Sequence, residues 1–182
     1  DVILITGQTH LPQPRNDIEV VEVVTACEMR DAVMEHYRAC TVIIKAAAVA
    51  DFKCSTENCN KIKKKGDEST MLLELTKNPD IIGELGMLKE NRILVGFAAE
   101  TENLLENASE KLKKKNLDLI IANDVSKSDI GFGSDNNEVI IIEVSGKTRH
   151  VPIMSKEEIA NIIFDSIKKI IKKRKVVKDD WY

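Results

Sequence analysis

Asp51 and the lysines that follow it are the side chains of this sequence best suited to chemistry. They lie in the stretch TVIIKAAAVADFKCSTENCNKIKKK, which runs from Thr41 to Lys65. The small side chains of residues 45–50 let the backbone turn tightly and bring its N–H groups close to a ligand, and the Asp51 carboxylate can accept hydrogen bonds from hydroxyl groups. The lysines at positions 61, 63, 64 and 65 follow one another with no acidic residue between them. Such a positive loop favours an anion, most commonly a phosphate.

Each of these features also has an ordinary structural explanation. Alanine-rich runs are more often plain helix or strand, and lysine runs are usually solvated loops. The order of the features favours a ligand site, because residues 41–46 form a short, β-branched apolar run that is typical of a strand buried on both faces of a parallel sheet. In open α/β sheets, ligands bind in the crevice beyond the carboxyl ends of the strands. The sequence therefore predicts a site for an anionic ligand directly after this strand.

Three further groups of residues are candidates for ligand contact. Asn78 suits the N-cap of a helix and Pro79 its first position, and a helix N-terminus favours phosphate, although most such starts only cap a helix. Phe97 could stack on a nucleotide base, but a core phenylalanine is the commoner outcome. Lysines at positions 111, 113, 114 and 115 end a predicted helix, where they also suit the helix dipole.

Composition limits the class of protein. The chain has 182 residues, is 43% hydrophobic and carries a formal net charge of −3, so it can bury a full core and favours one domain. The acidic balance argues against nucleic acid as the main partner. No apolar run approaches a membrane span and no signal pattern opens the chain, which predicts a soluble, cytoplasmic protein without a membrane partner. The four cysteines lack disulfide or zinc spacing, so we expect reduced thiols.

Alternating hydrophobic runs and helix signals indicate how these residues are positioned. Capping boxes at Thr25–Glu28 and Ser155–Glu158 predict helices to about residues 38 and 173, and further helices are expected from residue 78 and over 101–116. The buried face of the helix over 101–116 would be formed by Leu104, Leu105, Ala108 and Leu112. Strands are predicted over residues 2–6, 18–24, 41–46, 71–76, 93–98, 117–122, 138–144 and 148–153.

This alternation predicts an α/β fold. We expect a Rossmann-like, mainly parallel open sheet with helices on both faces and an antiparallel hairpin over 138–153 at one edge. The strands at 2–6, 41–46, 93–98 and 117–122 would be central. The two common glycine-rich phosphate motifs, G-x-G-x-x-G and G-x-x-x-x-G-K-[ST], are absent, so any nucleotide must be held in another way.

Six sequence blocks occur in an order that identifies a family. They are KAAAVADF, KIKK, LTKNPDII, VGFAAET, KLKKKNLDLIIANDV and GFGSDNNEV. In order and spacing the chain resembles the bacterial phosphopantothenoylcysteine synthetase, the C-terminal domain of a bifunctional coenzyme A biosynthesis flavoprotein. The resemblance covers nearly everything from residue 1 to about residue 173.

The resemblance implies a CTP-dependent, Mg²⁺-assisted ligase. The carboxylate of 4'-phosphopantothenate would attack the α-phosphate of CTP to give 4'-phosphopantothenoyl-CMP, and L-cysteine would then displace CMP. Because eukaryotic relatives use ATP, the preference for CTP comes from the bacterial character of the basic loop and the Asp51 block. A homodimer is also implied, with the strand at 71–76 in its interface, and a phosphopantothenoylcysteine decarboxylase domain as a fused or associated partner.

The family's functional residues carry over to matching positions. Lys61 matches an essential, catalytic lysine on a mobile loop, and Ala47 and Ala48 match contacts to the acyl substrate. The nucleotide-binding positions that the resemblance implies are Lys45, Ala46, Ala47, Asp51, Lys61, Pro79, Asp80, Ile81, Ile82, Phe97, Lys111 and Lys115. The resemblance thus favours the ligand-binding interpretation of Phe97 and of the lysine-rich helix end.

The match departs from the family at its beginning. The family starts with a further strand and helix that carry a glycine-rich turn, whereas this sequence starts at what would be the second strand. Two other interpretations therefore stay open: a noncatalytic nucleotide-binding module, which would bind nucleotide without releasing pyrophosphate, and a structural subunit, which would bind none.

Overall fold

The computed structural model describes residues 1–12, 14, 17–56, 60–61, 70–126 and 133–179. These residues form two compact units, Asp1–Arg38 with Ala47–Ile81 and Ala39–Ala46 with Ile82–Tyr182. The expectation of a single domain stays a prediction. No helix in the described part of the chain is long and apolar enough to cross a membrane.

In chain order the elements are β1 (Ile3–Thr6), β2 (Glu19–Glu22), α1 (Ala26–His36), β3 (Val42–Lys45), β4 (Phe52–Cys54), β5 (Leu75–Lys77), α2 (Ile81–Met87), β6 (Ile93–Glu100), α3 (Leu104–Lys114), β7 (Leu119–Asp124), β8 (Asn136–Glu143), β9 (Thr148–Ser155) and α4 (Lys156–Asp179).

The first unit contains a small parallel sheet and a helix. Strands β1 and β2 pair in parallel from Ile3 opposite Glu19, and α1 packs against β1 with Met29 and Ala32 buried. Leu4 is 40% exposed. The described residues pair β1 with β2 alone, so the prediction that β1 is a buried strand at the centre of the main sheet is wrong. A run of apolar residues predicts a strand but not its pairing partner.

A second pair of strands belongs to the first unit. Strands β4 and β5 pair antiparallel, with Phe52 opposite Lys77. The sequence did not predict β4, and it extended β5 over residues 71–76. Residues 71–74 form no strand, and Leu72 is 99% exposed. Local apolar composition was the wrong signal here, because it cannot distinguish a buried run from an exposed one.

Both predicted capping boxes are confirmed. At α1 the Glu28 N–H donates to the Thr25 hydroxyl at 3.1 Å, and the Thr25 N–H donates back to the Glu28 carboxylate at 3.1 Å. At α4 the Glu158 N–H donates to the Ser155 hydroxyl at 3.2 Å, and the Ser155 N–H donates to the Glu158 carboxylate at 3.0 Å. Helix α4 continues to Asp179, six residues beyond the predicted end.

The second unit contains the main sheet, in the order β3-β6-β7-β8-β9. Strands β3, β6 and β7 run parallel, and β8 and β9 continue the sheet as an antiparallel hairpin. Gly146, with φ of 85°, lies in the hairpin turn. The predicted fold class is thus confirmed. Strand β3 lies at the edge of this sheet within the described residues, so its predicted central place with both faces buried is wrong.

Helices cover both faces of this sheet. Ile159, Ile163 and Ile167 of α4 pack on one face in a core with Ile93, Val95, Leu119 and Ile121. Successive strand residues face opposite sides, so the equally buried Leu94, Ile120 and Ala122 lie on the other face. Helix α3 packs there against β6 and β7. A Cβ at Gly96 would lie 2.7 Å from Leu117 Cδ1, which shows how closely this layer is packed.

Two helix starts differ from prediction. Helix α2 begins at Ile81, so Asn78 is not its N-cap. Helix α3 begins at Leu104, and its N-cap Asn103 has a φ of 49° and makes no capping hydrogen bond with its side chain. Ala108 and Leu112 are buried as predicted, but Leu105 is exposed. Asn78 is instead held by tertiary hydrogen bonds to Ala50 and Asp51.

A buried charge cluster joins the amino ends of β6 and β7 to α4. The Asp118 carboxylate accepts from the Leu94 N–H at 2.9 Å and pairs with Lys89 at 2.9 Å and with Arg174. Arg174 also donates to the Asn91 carbonyl at 2.8 Å. Asp118 and Lys89 are buried. We name Lys89, Asp118 and Arg174 the amino-end cluster; its groups pair with one another and with the backbone, and the Arg174 side chain is 37% exposed.

Candidate active site

In the first unit, the turn that ends at Asp51 is tied to the segment before α2. The Asn78 N–H donates to the Asp51 carbonyl at 2.8 Å, and the Asn78 side-chain amide donates to the Ala50 carbonyl at 2.9 Å. The β4–β5 pairing continues this contact. Three predicted site residues, Asp51, Pro79 and Asp80, are therefore brought into one neighbourhood. The Asp51 side chain is exposed there and able to accept from a ligand.

Asn78 takes a role that the sequence did not assign to it. Its side chain fastens the turn and does not cap the helix. Its Oδ1 atom is buried and has no hydrogen-bond partner among the described residues. Buried acceptors are normally satisfied, so this oxygen is an exception within the described part of the chain. The signal for this role, an asparagine before Pro79, is the same as that for a cap.

The remaining predicted residues of the first unit differ in accessibility. Ala47, Ala48 and Lys61 are exposed, and the lysines at 63, 64 and 65 lie outside the described residues. Ile81 is only 2% exposed. Almost none of the surface of Ile81 is therefore accessible, and the ligand contact predicted for this residue stays a prediction.

In the second unit, Lys45, Ala46 and Phe97 lie at the carboxyl end of the parallel strands. Lys45 is the last residue of β3 and lies opposite Gly96 of β6. Phe97 follows, and it is 38% exposed, whereas its neighbours Gly96 and Ala98 are buried. Phe97 is the fifth of the eight residues of β6 and lies just beyond the position where β3 ends, and a ring this exposed is not a core side chain. Its position fits contact with a ligand beyond the strand ends.

Glu100, the last residue of β6, holds one of the predicted phosphate-binding lysines. The Lys111 ammonium donates to the Glu100 carboxylate at 2.5 Å. The side chain of Glu100 is 14% exposed and that of Lys111 is 51% exposed. The Asn107 amide donates to the other carboxylate oxygen of Glu100 at 3.3 Å and to the Glu102 carbonyl at 3.0 Å. Glu100 is not among the residues that the sequence predicts to contact a ligand.

Lys115 lies one helical turn beyond Lys111, at the C-cap of α3. Its carbonyl lies so close to α2 that a Cβ at Gly86 would be 2.1 Å from the Lys115 oxygen. The next residue, Asn116, accepts from Lys89 of the amino-end cluster at 2.9 Å. The spacing of Lys111 and Lys115 predicts joint action on one ligand, but the structure gives the two lysines different surroundings. Lys111 reaches the last residue of β6, whereas the Lys115 backbone packs beside the structural cluster.

The described residues contain no group of three or more histidine, cysteine, aspartate or glutamate side chains that could hold a metal ion. Two carboxylates end adjacent strands, because Glu100 is opposite Asp124. However, Glu100 is paired with Lys111, and Asp124 accepts from the Ser126 hydroxyl at 2.6 Å. These carboxylates are already engaged, so this donor set does not form a metal cage of its own.

Comparison with known proteins gives a consistent result. The family model of the DNA/pantothenate metabolism flavoprotein C-terminal domain matches residues 1–171. The coenzyme A biosynthesis bifunctional protein CoaBC of Bacillus subtilis (strain 168) is 46% identical over 166 residues, which are 91% of this chain and 40% of that protein. A cysteine/cysteine sulfinic acid decarboxylase from an unknown prokaryotic organism is 41% identical over 172 residues, 94% of this chain and 46% of that protein.

A solved structure agrees with these sequence relatives. The crystal structure of the C-terminal domain of the bifunctional protein CoaBC aligns with a TM-score of 0.77 at 33% identity and covers 94% of this chain and 75% of that one. The chain spans less than half the length of the two curated relatives above.

Proposed function

Because this chain belongs to the family of the DNA/pantothenate metabolism flavoprotein C-terminal domain, we propose that it is a ligase of coenzyme A biosynthesis. It joins 4'-phosphopantothenate to L-cysteine in a CTP-dependent reaction and releases CMP and pyrophosphate. The observation that carries this proposal is the alignment of 94% of the chain with the C-terminal domain of CoaBC. The six sequence blocks, all characteristic of the synthetase, assign this activity rather than another activity of a bifunctional relative.

The proposed reaction has two steps. A carboxylate oxygen of 4'-phosphopantothenate attacks the α-phosphorus of CTP, and the bond to pyrophosphate breaks. The cysteine amine then attacks the acyl carbon of 4'-phosphopantothenoyl-CMP, loses a proton, and CMP leaves with the bonding electrons. Neither step needs a covalent nucleophile from the protein. Positioning and positive charge are what the protein has to supply.

Residues of the first unit supply nucleotide contacts and one catalytic charge. Asp51 is exposed at the end of its turn and accepts hydrogen bonds from the nucleotide. Pro79, Asp80 and Ile81 contact the cytidine. Lys61 stabilises the charge that develops at the α-phosphate. Ala47 and Ala48 are exposed and small, which suits close approach of the acyl substrate.

In the second unit we propose contacts at Lys45, which ends β3, at Ala46, which follows it, at Phe97, which is 38% exposed within β6, and at Ile82 in α2. Lys111 and Lys115 neutralise the triphosphate. A lysine ammonium is a flexible point charge with three donor hydrogens, so it can follow a phosphate whose geometry changes during the reaction.

Magnesium is proposed to enter with CTP. Mg²⁺ prefers oxygen ligands, keeps several waters and is commonly bound through substrate phosphates with one or two carboxylates. Glu100 and Asp124 end adjacent strands and are engaged with protein partners, so the phosphate oxygens of CTP would be the main ligands of the ion. When bound with the nucleotide, the ion would neutralise phosphate charge.

A pyrophosphate-release assay with CTP and 4'-phosphopantothenate tests the function. We expect release in the full-length protein and a loss of about 100-fold to 1,000-fold in turnover for Lys61→Gln, with CTP affinity changed about tenfold or less, because Lys61 acts mainly in the transition state. Lys64→Gln is the matched control, since it removes the same charge from the same loop. It should weaken affinity more than turnover, and less so as salt is raised.

The assay also separates the alternatives. Equal losses in Lys61→Gln and Lys64→Gln would mean that the loop acts as a diffuse charge. CTP binding without pyrophosphate release would favour the noncatalytic nucleotide-binding module. Absence of measurable affinity for both CTP and ATP would favour the structural subunit. Faster release with ATP than with CTP would contradict the nucleotide assignment.

We also propose that the protein is a homodimer. In the first unit, Phe52, Met71, Leu72, Leu73 and Leu75 are each more than half exposed, and a contiguous apolar surface of this kind marks an interaction site. Light scattering at micromolar concentration should give a dimeric mass that Leu72→Lys reduces. A monomeric mass for the wild-type, full-length protein would reject the proposal.

A decarboxylase partner is the last part of the proposed function. Relatives named as bifunctional proteins are about two and a half times as long as the matched region, since the match covers 40% of one of them. We therefore expect a phosphopantothenoylcysteine decarboxylase domain to be fused to this chain or associated with it. Co-purification with decarboxylase activity on the synthetase product tests this.

A further inference from the structure

The Glu100–Lys111 pair differs from an ordinary surface ion pair. Its carboxylate is mostly buried, with a side chain 14% exposed, while its lysine is 51% exposed. Surface pairs between two mobile side chains contribute little, because both side chains lose freedom to form them. Here one partner is already fixed at the end of a buried strand. The cost of ordering therefore falls on the lysine alone.

Asn107 fixes the carboxylate from a second direction. Its amide donates both to Glu100 at 3.3 Å and to the Glu102 carbonyl at 3.0 Å, and it lies on α3 one turn before Lys111. Glu100, Asn107 and Lys111 thus form a chain of contacts between the end of β6 and α3. The backbone at Glu100 is held as well, since its carbonyl accepts from the Val125 N–H at 3.0 Å.

Lys111 keeps hydrogen-bonding capacity while it is held. An ammonium group carries three donors, and in the described part of the chain its hydrogen-bond partner is Glu100 alone. The half-exposed side chain presents its remaining donors to solvent. A phosphate oxygen can therefore bind the ammonium without displacing the carboxylate.

We propose that Glu100 is a positioning residue that preorganises Lys111 for a polyphosphate. The inference rests on the proposed function for the identity of the nucleotide, and it adds a residue to which neither the resemblance nor the comparisons give a role. Held in one place by Glu100, Lys111 loses less conformational freedom when the phosphate arrives. Removing such a cost is worth about three- to tenfold in affinity for a rotamer-rich side chain.

The sign of the effect distinguishes this role from simple electrostatics. A nearby carboxylate repels a polyphosphate, so if Glu100 acted only through its charge, Glu100→Gln would tighten binding. If Glu100 positions Lys111, the same substitution weakens binding although it removes a repulsive charge. The two explanations therefore predict opposite changes.

The experiment is a double-mutant cycle on the full-length protein. Affinities for CTP and for inorganic tripolyphosphate are measured by calorimetry in the wild type, Glu100→Gln, Lys111→Met and the double variant. We expect Glu100→Gln to weaken both ligands about three- to tenfold in the wild-type background and to have no further effect beside Lys111→Met, since the residue acts through that lysine. Equal or tighter binding in Glu100→Gln, or an equal loss in both backgrounds, would overturn the inference.

Two controls complete the design. Glu110→Gln removes the same charge from an exposed residue next to Lys111 in sequence, and it should leave affinity unchanged. Asn107→Ala keeps the charge of Glu100 but removes the amide that holds its carboxylate. We expect the affinity for both ligands to fall about two- to threefold, the lower part of the same range. This variant also serves if Glu100→Gln fails to fold, and unchanged binding in it would then count against positioning.

Tripolyphosphate separates this inference from the proposed function. If the wild type binds tripolyphosphate with the expected dependence on Glu100 but releases no pyrophosphate with 4'-phosphopantothenate, the proposed function fails and the inference stands. If pyrophosphate is released and Glu100→Gln binds as the wild type does, the function stands and the inference fails. A wild type that does not bind tripolyphosphate overturns the inference.

Discussion

The two ends of the parallel strands in the second unit carry charge clusters built from the same residue types. At the amino end, Asp118 is nearly fully buried and pairs with Lys89 and Arg174. At the carboxyl end, Glu100 is mostly buried, but its partner Lys111 is half exposed. The difference lies in the cations: at the amino end Lys89 is buried and Arg174 also donates to two backbone carbonyls, whereas at the carboxyl end Glu100 is the hydrogen-bond partner of the half-exposed Lys111 within the described residues.

This difference separates charges that stabilise the fold from charges that can bind a ligand. A buried carboxylate that faces two cations cannot be removed without leaving uncompensated charge, so the amino-end cluster is a structural device. An exposed ammonium can lose its partner at small cost because water replaces it. The same lysine can nevertheless bind a phosphate strongly, since a ligand excludes that water. The carboxyl end is therefore where charge is available for function.

Asp118→Ala tests the structural end and has the largest expected effect. It leaves Lys89 and Arg174 without their anion and removes the acceptor of the Leu94 N–H, so the free energy of unfolding should fall by about 3–5 kcal/mol. Urea denaturation measures the change. Asp165→Ala is the control, because Asp165 pairs with Lys168 at 3.4 Å on the surface and should change the free energy of unfolding by less than about 1 kcal/mol. A similar, small change in both variants would abolish the distinction between the two ends.

Gly86→Ala tests the contact between α2 and the Lys115 backbone. This contact lies beside the amino-end cluster, although Lys115 is a predicted phosphate-binding residue. The new Cβ would lie 2.1 Å from the Lys115 carbonyl oxygen, so α2 or the end of α3 must shift, at a cost of roughly 1–3 kcal/mol in the free energy of unfolding. Met87→Ala, at an exposed neighbour, should stay within about 0.5 kcal/mol.

Gly86→Ala also shows whether Lys115 acts in structure with the amino-end cluster or in ligand binding at the carboxyl end. If Lys115 contacts the triphosphate, Gly86→Ala should also weaken CTP binding, as measured by calorimetry below the unfolding transition. Lower stability with unchanged CTP affinity would instead group Lys115 with the amino-end cluster.

Lys111→Met tests the functional end. It should weaken CTP binding by about tenfold, as expected for one lost charged hydrogen bond, and it should lower the free energy of unfolding by about 1–3 kcal/mol, less than Asp118→Ala, because it leaves the mostly buried Glu100 carboxylate without its cation. Lys113→Met, at an exposed lysine two residues away, should change neither quantity appreciably. If Lys111→Met lost as much stability as Asp118→Ala, the charge clusters at both ends would be structural.

Substitution of the capping glutamate Glu158 should have the smallest effect on stability. It provides a baseline against which both charge clusters are compared. Hydrogen bonds from the Ser155 hydroxyl and then its N–H lower the pKa of Glu158 below the ordinary value of 4.5. A lowered pKa stabilises the folded state above pH 4.5, and this contribution is lost as the pH falls through the folded-state pKa.

Glu158→Gln should therefore be less stable than the wild type at pH 7, and the difference should vanish as the pH falls below the ordinary glutamate value. Thermal unfolding from pH 7 to pH 3 measures this. Glu157→Gln, an adjacent glutamate outside the capping box, is the control. A difference that persists at low pH would mean that the carboxylate charge is not what stabilises the cap.

Local sequence determined the elements whose signals are complete within a few residues. The Thr25–Glu28 and Ser155–Glu158 boxes mark helix starts because both partners of each hydrogen bond lie three residues apart. The buried strands β6 and β7 and the hairpin turn at Gly146 were likewise predicted from apolar runs and turn residues. The family and its candidate residues followed from the order of six blocks, which needs no three-dimensional information.

Tertiary structure decided every feature that depends on partners distant in sequence. Strand pairing placed β1 in a small sheet and β3 at an edge, although their apolar runs resemble those of β6 and β7. Asn78 fastens the turn at Ala50, 28 residues away, and does not cap a helix. Glu100 acquired its role from Lys111, and Asp118 from Arg174, 56 residues on. The physical reason is that a local pattern specifies backbone conformation, whereas the burial and charge environment of a side chain depend on which distant groups pack beside it.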